Sequence, residues 1–287
     1  MIRLALSALS LALAAAAVPP ASAAPTDCPD KFVGGAAPDV VNPKLLPRTQ
    51  PLCFSAFAIL HSGAVRTSLW SAEHLTREGV RRARETSRVN TFHADPRLPA
   101  ADRSELADYA RSGYDRGHLA PSGDMPDPAA QEESFSLANM IPQDPSLNRG
   151  LWEGIESAVR NMASRNGELY VVTGPIYRGS EVKALRGRVL VPTHVFKAVY
   201  DPRTGRSGAY LVANAAGTDW KGVAITELAA LSGIDVFPAL PASAKNAAMK
   251  LPDPTSHGFD RGVAQRNGES ILGRTAEWLA RKVIRSW

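Results

Sequence analysis

What this 287-residue chain lacks narrows its class before any motif is read. Beyond an apolar run at the N-terminus, no stretch resembles a transmembrane helix, so the chain is no multi-span membrane protein. It has no collagen-like period, no internal repeat and no linker that would enforce two domains. Its 44% hydrophobic content and mean hydropathy of −0.16 exclude a disordered polymer. A Gly-x-Ser-x-Gly elbow, a Walker loop and a dinucleotide fingerprint are all absent, which leaves a serine hydrolase or nucleotide-fuelled enzyme no foothold. His61, His74, His93, His194 and His257 show no His-x-x-His or Glu-x-x-His spacing, so a zinc site is unsupported. Charge of one sign is scarce: 33 basic against 28 acidic residues give +5, a mild excess compatible with a polyanionic partner without demanding one.

Cysteine is nearly absent too, with only Cys28 and Cys53. Residues 1–23 read as a signal peptide: a basic Arg3, an apolar run from Leu4 to Val18, the Pro19-Pro20 break and a small Ala21-Ser22-Ala23 cleavage pattern. The mature chain would start near Ala24, in a secreted or periplasmic setting with no membrane association. An uncleaved anchor is the alternative. In an oxidising compartment the two thiols are expected to pair, tying the N-terminal arm to the first core strand; two buried free thiols are the other reading.

Residues 24–51 read as an irregular arm. A buried strand is expected over Cys53–Leu60, a turn at Ser62-Gly63 and a return over Ala64–Leu69. Arg77–Arg88 is basic and loop-like or weakly helical, and Asp102–Arg111 suggests a short helix ending at Gly113. A clear helix follows, capped by Ser146, with Leu147, Leu151, Ile155, Ala158 and Met162 on one stripe down to Gly167. Strands are expected over Glu168–Val172 (stopped by Gly174-Pro175), Arg188–Val191, Val195–Tyr200 and Gly208–Asn214. A helix over Ala224–Leu231 ends at Gly233. Residues 237–267 lack periodicity, and Glu269–Trp287 has the pattern of an amphipathic helix. Strands and helices without regular βαβ alternation argue for an α+β fold with a central antiparallel sheet flanked by helices.

The informative block runs from Tyr114 to Glu156. In Asp115-Arg116-Gly117-His118, a neutral imidazole suits a general base, and the adjacent guanidinium can hold a phosphate oxygen. Asn148, Trp152 and Glu156 fall at helical i, i+4 and i+8 positions. The Asn148 carbonyl oxygen can ligate a hard cation such as Mg²⁺. Glu156, about 12 Å further along a helix axis, suits a water-mediated role. The basic cluster Arg77, Arg81, Arg82, Arg84 and Arg88 reads either as a phosphate cradle or as a solvated face. Asp260-Arg261-Gly262 repeats the tripeptide, but Val263 follows it, so that copy carries no role.

These residues carry a resemblance. Asp115-Arg116-Gly117-His118, followed by Leu147-Asn148-Arg149-Gly150-Leu151-Trp152 and Glu156, resembles the signature of the DNA/RNA non-specific endonucleases, of the ββα-metal or His-Me finger group. Ser134-Phe135 and Asn139-Met140-Ile141-Pro142-Gln143 match as well, as do Leu69-Trp70 with Glu73 and the Thr173-Gly174-Pro175 turn. The likeness covers residues 50–235 and assigns the nuclease domain to 52–235. Residues 236–287 then form a C-terminal extension packed on it. The resemblance implies that His118 is the general base, Asn148 the one direct ligand of a hydrated Mg²⁺ (Mn²⁺ a candidate substitute), Glu156 a partner of its waters and Arg116 a phosphate contact. Arg88, by the looser pattern Arg88…Phe92…Asp95-Pro96, would be the upstream basic residue. Arg149 stands where relatives often have Gln. The implied activity is hydrolysis of DNA and RNA to 5′-phosphate ends. An inactive nucleic-acid-binding module, or a phosphodiesterase acting on another diester, is the alternative.

Overall fold

Strands buried on both faces need near-continuous apolar runs, and the chain supplies them at the centre of one large sheet. The protein, seen in a computed structural model, is described over residues 27–179 and 182–254. In chain order, β1 is Thr49–Cys53, β2 Phe57–Ser62, β3 Thr67–Thr76, β4 Asp115–His118, β5 Met140–Gln143, β6 Glu168–Ile176, β7 His194–Asp201, β8 Arg206–Ala213 and β9 Lys221–Val223. A seven-stranded antiparallel sheet runs β9-β8-β7-β6-β3-β2-β1, while β4 and β5 form a separate hairpin. The helices include α1 (Arg77–Ala83), α2 (Pro128–Ser134), α3 (Pro145–Asn148), α4 (Leu151–Asn166) and α5 (Ile225–Ser232).

Each face of the sheet has its own core. On one, Val171, Val195 and Val199 pack against Trp152, Ile155 and Val159 of α4 and Val80 of α1. On the other, Val172, Phe196 and Ala198 meet the N-terminal arm through Phe32 and α5 through Leu228. Cys28 and Cys53 are disulfide-bonded, and Phe32 meets Trp70 edge-on at 5.9 Å, so the arm is pinned across β1–β3. A two-residue ribbon, Asp39–Val40 with Ile234–Asp235, closes the same face. Met249 and Leu251 join the core under α4, so the described part of the C-terminal extension lies on the same body.

Several sequence expectations need correction. The strand expected over Cys53–Leu60 is two strands. β1 ends at Cys53, and the Phe54 N–H donates to the Phe57 carbonyl at 2.9 Å, reversing the chain at once. The return strand β3 continues to Thr76, and Thr76 then caps α1 through Gly79 N–H. β6 does not stop at Gly174-Pro175. A Cβ at Gly174 would lie 2.6 Å from the Leu69 carbonyl oxygen, so the glycine answers close strand packing. Pairing with β3 has already ended at Thr173, which leaves Pro175 tolerable there. The helix expected from Ser146 is broken at Arg149-Gly150 into α3 and α4, and its cap is Asp144, which accepts from Ser146 and Leu147 N–H. Only Leu106–Tyr109 of the Asp102–Arg111 segment is helical, and α2, capped by Asp127, had no counterpart in the sequence reading. The helix before Gly233 is α5, ended by that glycine at φ 75°. The signal peptide, the terminal amphipathic helix, His257 and the Asp260-Arg261-Gly262 copy lie outside the described residues.

Closing the Cys28–Cys53 loop removes unfolded-state entropy worth about 3 kcal/mol by loop length. A Cys28→Ser, Cys53→Ser double variant is expected to unfold at correspondingly lower denaturant, with a somewhat steeper slope because its unfolded chain is more expanded. Coincident denaturation curves would refute this contribution.

Candidate active site

The hairpin β4–β5 and the two helices that follow it form a ββα unit against the α4 face of the sheet. Period-two geometry puts Arg116 and His118 on the same side of β4, with Gly117 turned the other way. That glycine has no substitute: a Cβ would stand 2.6 Å from the Gln143 Cβ across the hairpin. Pro142, Ile141 and Met140 oppose Arg116, Gly117 and His118 in register. Asp144 then caps α3 and sets Asn148 at its end.

Arg88, Arg116, His118, Asn148 and Glu156, the five residues singled out from the sequence, all line one cavity of about 590 Å³. An aromatic floor orders its basic wall. Phe92 and Phe135 meet edge-to-face at 4.8 Å, and the His118 ring sits 5.9 Å from the first and 5.0 Å from the second. The Arg116 guanidinium lies 4.1 Å above Phe92 and that of Arg88 5.4 Å from Phe135, within cation–π range. Arg88 also donates to Asn90 Oδ1 at 2.9 Å. His118 is 8% exposed, and its Nε2 is buried without a hydrogen-bond partner. Burial first, and the Arg88 charge second, push its pKa down to about 3, so the ring is a neutral imidazole at any ordinary pH.

The opposite wall is organised by Asp115. Its carboxylate takes two hydrogen bonds from Arg149, at 2.8 and 2.6 Å, and one from Asn148 Nδ2 at 2.9 Å. Burial raises the Asp115 pKa, but the Arg149 and Asn148 hydrogen bonds outweigh it and leave it lowered. The amide nitrogen being committed to Asp115, the Asn148 oxygen is the atom left for a ligand. Arg149, where a departure from the family pattern stood out, is the ion-pair partner of this anchor. Glu156 stands one α4 turn beyond Trp152. Burial raises its pKa to about 7, with Lys197 and Arg160 pulling the other way.

Sequence reasoning missed three contributors. Arg160 lines the same cavity and is fixed by Asp124 at 2.7 Å and Ser157 at 3.0 Å. It continues the four-residue spacing of Trp152 and Glu156, a signal that was legible. Asp115 and Phe92 were read only as motif letters, because their roles are contacts with residues distant in sequence. The upstream arginine cluster divides: Arg88 faces the cavity, whereas Arg81 pairs with Glu78 and Glu85 and Arg77 donates to the α4 C-terminal carbonyls of Ser164 and Arg165. Asn148 and Glu156 do not share one helix as expected, since Gly150 breaks it. Among the described residues no three His, Cys, Asp or Glu side chains are placed to hold a metal together. The donor set is therefore one amide oxygen with a carboxylate behind it, which fits a hard ion that keeps most of its water and fits no ion caged by protein.

Residues 40–243 match the DNA/RNA non-specific endonuclease family. Nuclease C1 of Cunninghamella echinulata var. echinulata is 34% identical over 209 residues, which is 66% of this chain and 82% of that protein. A nuclease of Nostoc sp. is 33% identical over 211 residues, 67% of this chain and 74% of its own. Human mitochondrial nuclease EXOG is 30% identical over 215 residues, and the match spans 58% of its length. Among solved structures, a chain from the crystal structure of the EndoG/EndoGI complex superposes with a TM-score of 0.64 at 24% identity. It covers 78% of this chain and 96% of that one, a likeness of fold.

Gly117→Ala is expected to destabilise the protein by about 1–3 kcal/mol, because the hairpin must open to admit a methyl group; thermal unfolding checks this. Stability should also fall below pH 6.5, where the unfolded chain binds a proton at position 118 that the folded chain refuses. His118→Gln should flatten that slope relative to wild type, and parallel pH–stability curves would contradict the shielding of the imidazole.

Proposed function

Because the chain belongs to the DNA/RNA non-specific endonuclease family, we propose that it is a Mg²⁺-dependent, sugar-non-specific endonuclease that leaves 5′-phosphate ends on DNA and RNA. The observation that carries this reading is the convergence of an unprotonated imidazole, an oriented amide oxygen and arginine side chains on one cavity. His118 accepts the proton of the attacking water. With Nε2 sealed in, Nδ1 is the nitrogen assigned to that task. Arg116, with Arg88 behind it, holds the non-bridging phosphate oxygens and meets the charge that grows on them. The Asn148 oxygen would be the direct ligand of the ion, and Glu156 would hold its water shell. A hard divalent ion bound there supplies Lewis-acid stabilisation of charge on the phosphate and the leaving 3′-oxygen.

Identified contacts of this kind address phosphate, which carries no base information, so cleavage without sequence preference follows. Mn²⁺ is a candidate substitute for Mg²⁺. We further propose secretion to the periplasm or the medium. The leader pattern of residues 1–23 and a disulfide suited to an oxidising compartment support this.

Agarose-gel digestion of plasmid DNA and of RNA should proceed with Mg²⁺ and stop with chelator; digestion unaffected by chelator would defeat the metal assignment. His118→Ala is expected to lower turnover by at least about 10²-fold while folding and DNA binding persist. Near-normal cleavage by that variant would remove His118 from its role.

A further inference from the structure

The sheet face beneath α4 is apolar almost everywhere. Leu75, Leu169, Val171, Val195, Val199, Tyr210 and Val212 all belong to its core. One row breaks the pattern. Ser71, Thr173 and Lys197 lie side by side across β3, β6 and β7 in the strand register, and Glu73 follows two residues along β3 on the same face. All four are 0–1% exposed. Lys197 Nζ donates to Thr173 Oγ1 at 2.6 Å and stands 5.6 Å from the ring centre of Trp152, the residue one turn before Glu156. Neither oxygen of Glu73 has a hydrogen-bond partner.

Nothing in the fold calls for charge at this depth. Valine or leucine at these positions would extend the surrounding core, and a buried ionised side chain carries a desolvation penalty that packing does not return. The charges do act in one direction. Lys197 is the strongest opposing charge on the burial-raised carboxyl of Glu156. It is likewise the strongest opposing charge on Glu73, which burial and Asp124 drive upward. The polar row lies under the stretch of α4 that presents Glu156 to the cavity.

We propose that Lys197 is a positioning residue of the active site: tied by Thr173 beneath Trp152, its buried positive charge acts on the Glu156 carboxyl one helical turn further along α4 and steadies it at the cavity. The proposal rests on the nuclease reading above, in which Glu156 orders the water around the ion. Lys197 touches neither substrate nor ion. Its effect reaches the reaction through Glu156, so it should alter ion binding and turnover together while leaving capture of the polynucleotide to the arginines.

The test uses the full chain and a double variant, Lys197→Met with Glu73→Gln, which removes the buried ammonium and the carboxyl beside it together. Mn²⁺ alone is titrated into the metal-free protein and followed by the electron paramagnetic resonance of the free ion. Cleavage of a defined DNA duplex gives kcat and KM separately. The expected result is a folded protein with Mn²⁺ affinity at least 5-fold weaker, kcat at least 10-fold lower and KM within about 2-fold of wild type. Lys197→Arg, which keeps the charge, should recover part of both losses. A folded double variant with wild-type Mn²⁺ affinity and kcat would overturn the proposal and leave the row a structural feature. Should the double variant fail to fold, Thr173→Val decides by the same two readouts: both reduced supports the proposal, both unchanged overturns it. Wild-type cleavage in the same assay tests the nuclease reading on its own, so the two failures are distinguishable.

Discussion

The site depends on one carboxylate. Asp115 sits at the start of the hairpin strand that carries Arg116 and His118, and it reaches across to the end of the short helix that carries Asn148. By taking the amide nitrogen of Asn148 it decides which end of that amide faces the cavity. By taking both arms of Arg149 it locks the break between α3 and α4, where Gly150 lets the chain change direction. The hairpin and the helices also share an apolar core through Leu119, Ile141, Leu147 and Trp152, but this clamp is the polar link that orients the Asn148 amide. The charged geometry also explains why arginine at position 149 fits: a bidentate fork fixes the carboxylate plane in a way a single donor would not.

A second constraint acts through solvent. A general base needs its lone pair free, and the usual obstacle near neutral pH is partial protonation. Here the Phe92–Phe135 floor excludes water from one side of His118, and the Arg88 guanidinium adds positive potential. Both effects disfavour the imidazolium. The same rings hold Arg116 and Arg88 by their faces, so a single pair of aromatics sets the protonation of the base and the placement of the cations around it.

Much of the site was legible in the sequence because it is local. The spacing from His118 to Asn148 and Glu156 survives translation into space, since β4 and β5 pair in register around α2 and the helix entry follows β5 directly. The segments misread were those where a distant neighbour decides. Gly174-Pro175 carries a turn signature, yet pairing with β7 holds it extended. Phe54–Ala56 carries an apolar strand pattern, yet the disulfide-linked edge strand ends at Cys53 and the chain must reverse. Ser146 has the chemistry of a cap, but Asp144 stands two residues earlier with a better-placed carboxylate. The buried row of Ser71, Thr173 and Lys197 left no sequence signal, because its members come from three strands and share only a register.

The short span of chain from residue 115 to residue 156 also bears on how such a centre tolerates change elsewhere. Its walls come from residues between Ala83 and Arg160, all before β6, so lengthening a connection such as the one after β6 adds little loop entropy to its assembly. The peripheral strands can drift while the catalytic unit stays put. What they cannot do freely is change β3, β6 and β7 at the few positions that lie under α4, because those three strands are the platform on which the helix carrying Glu156 rests.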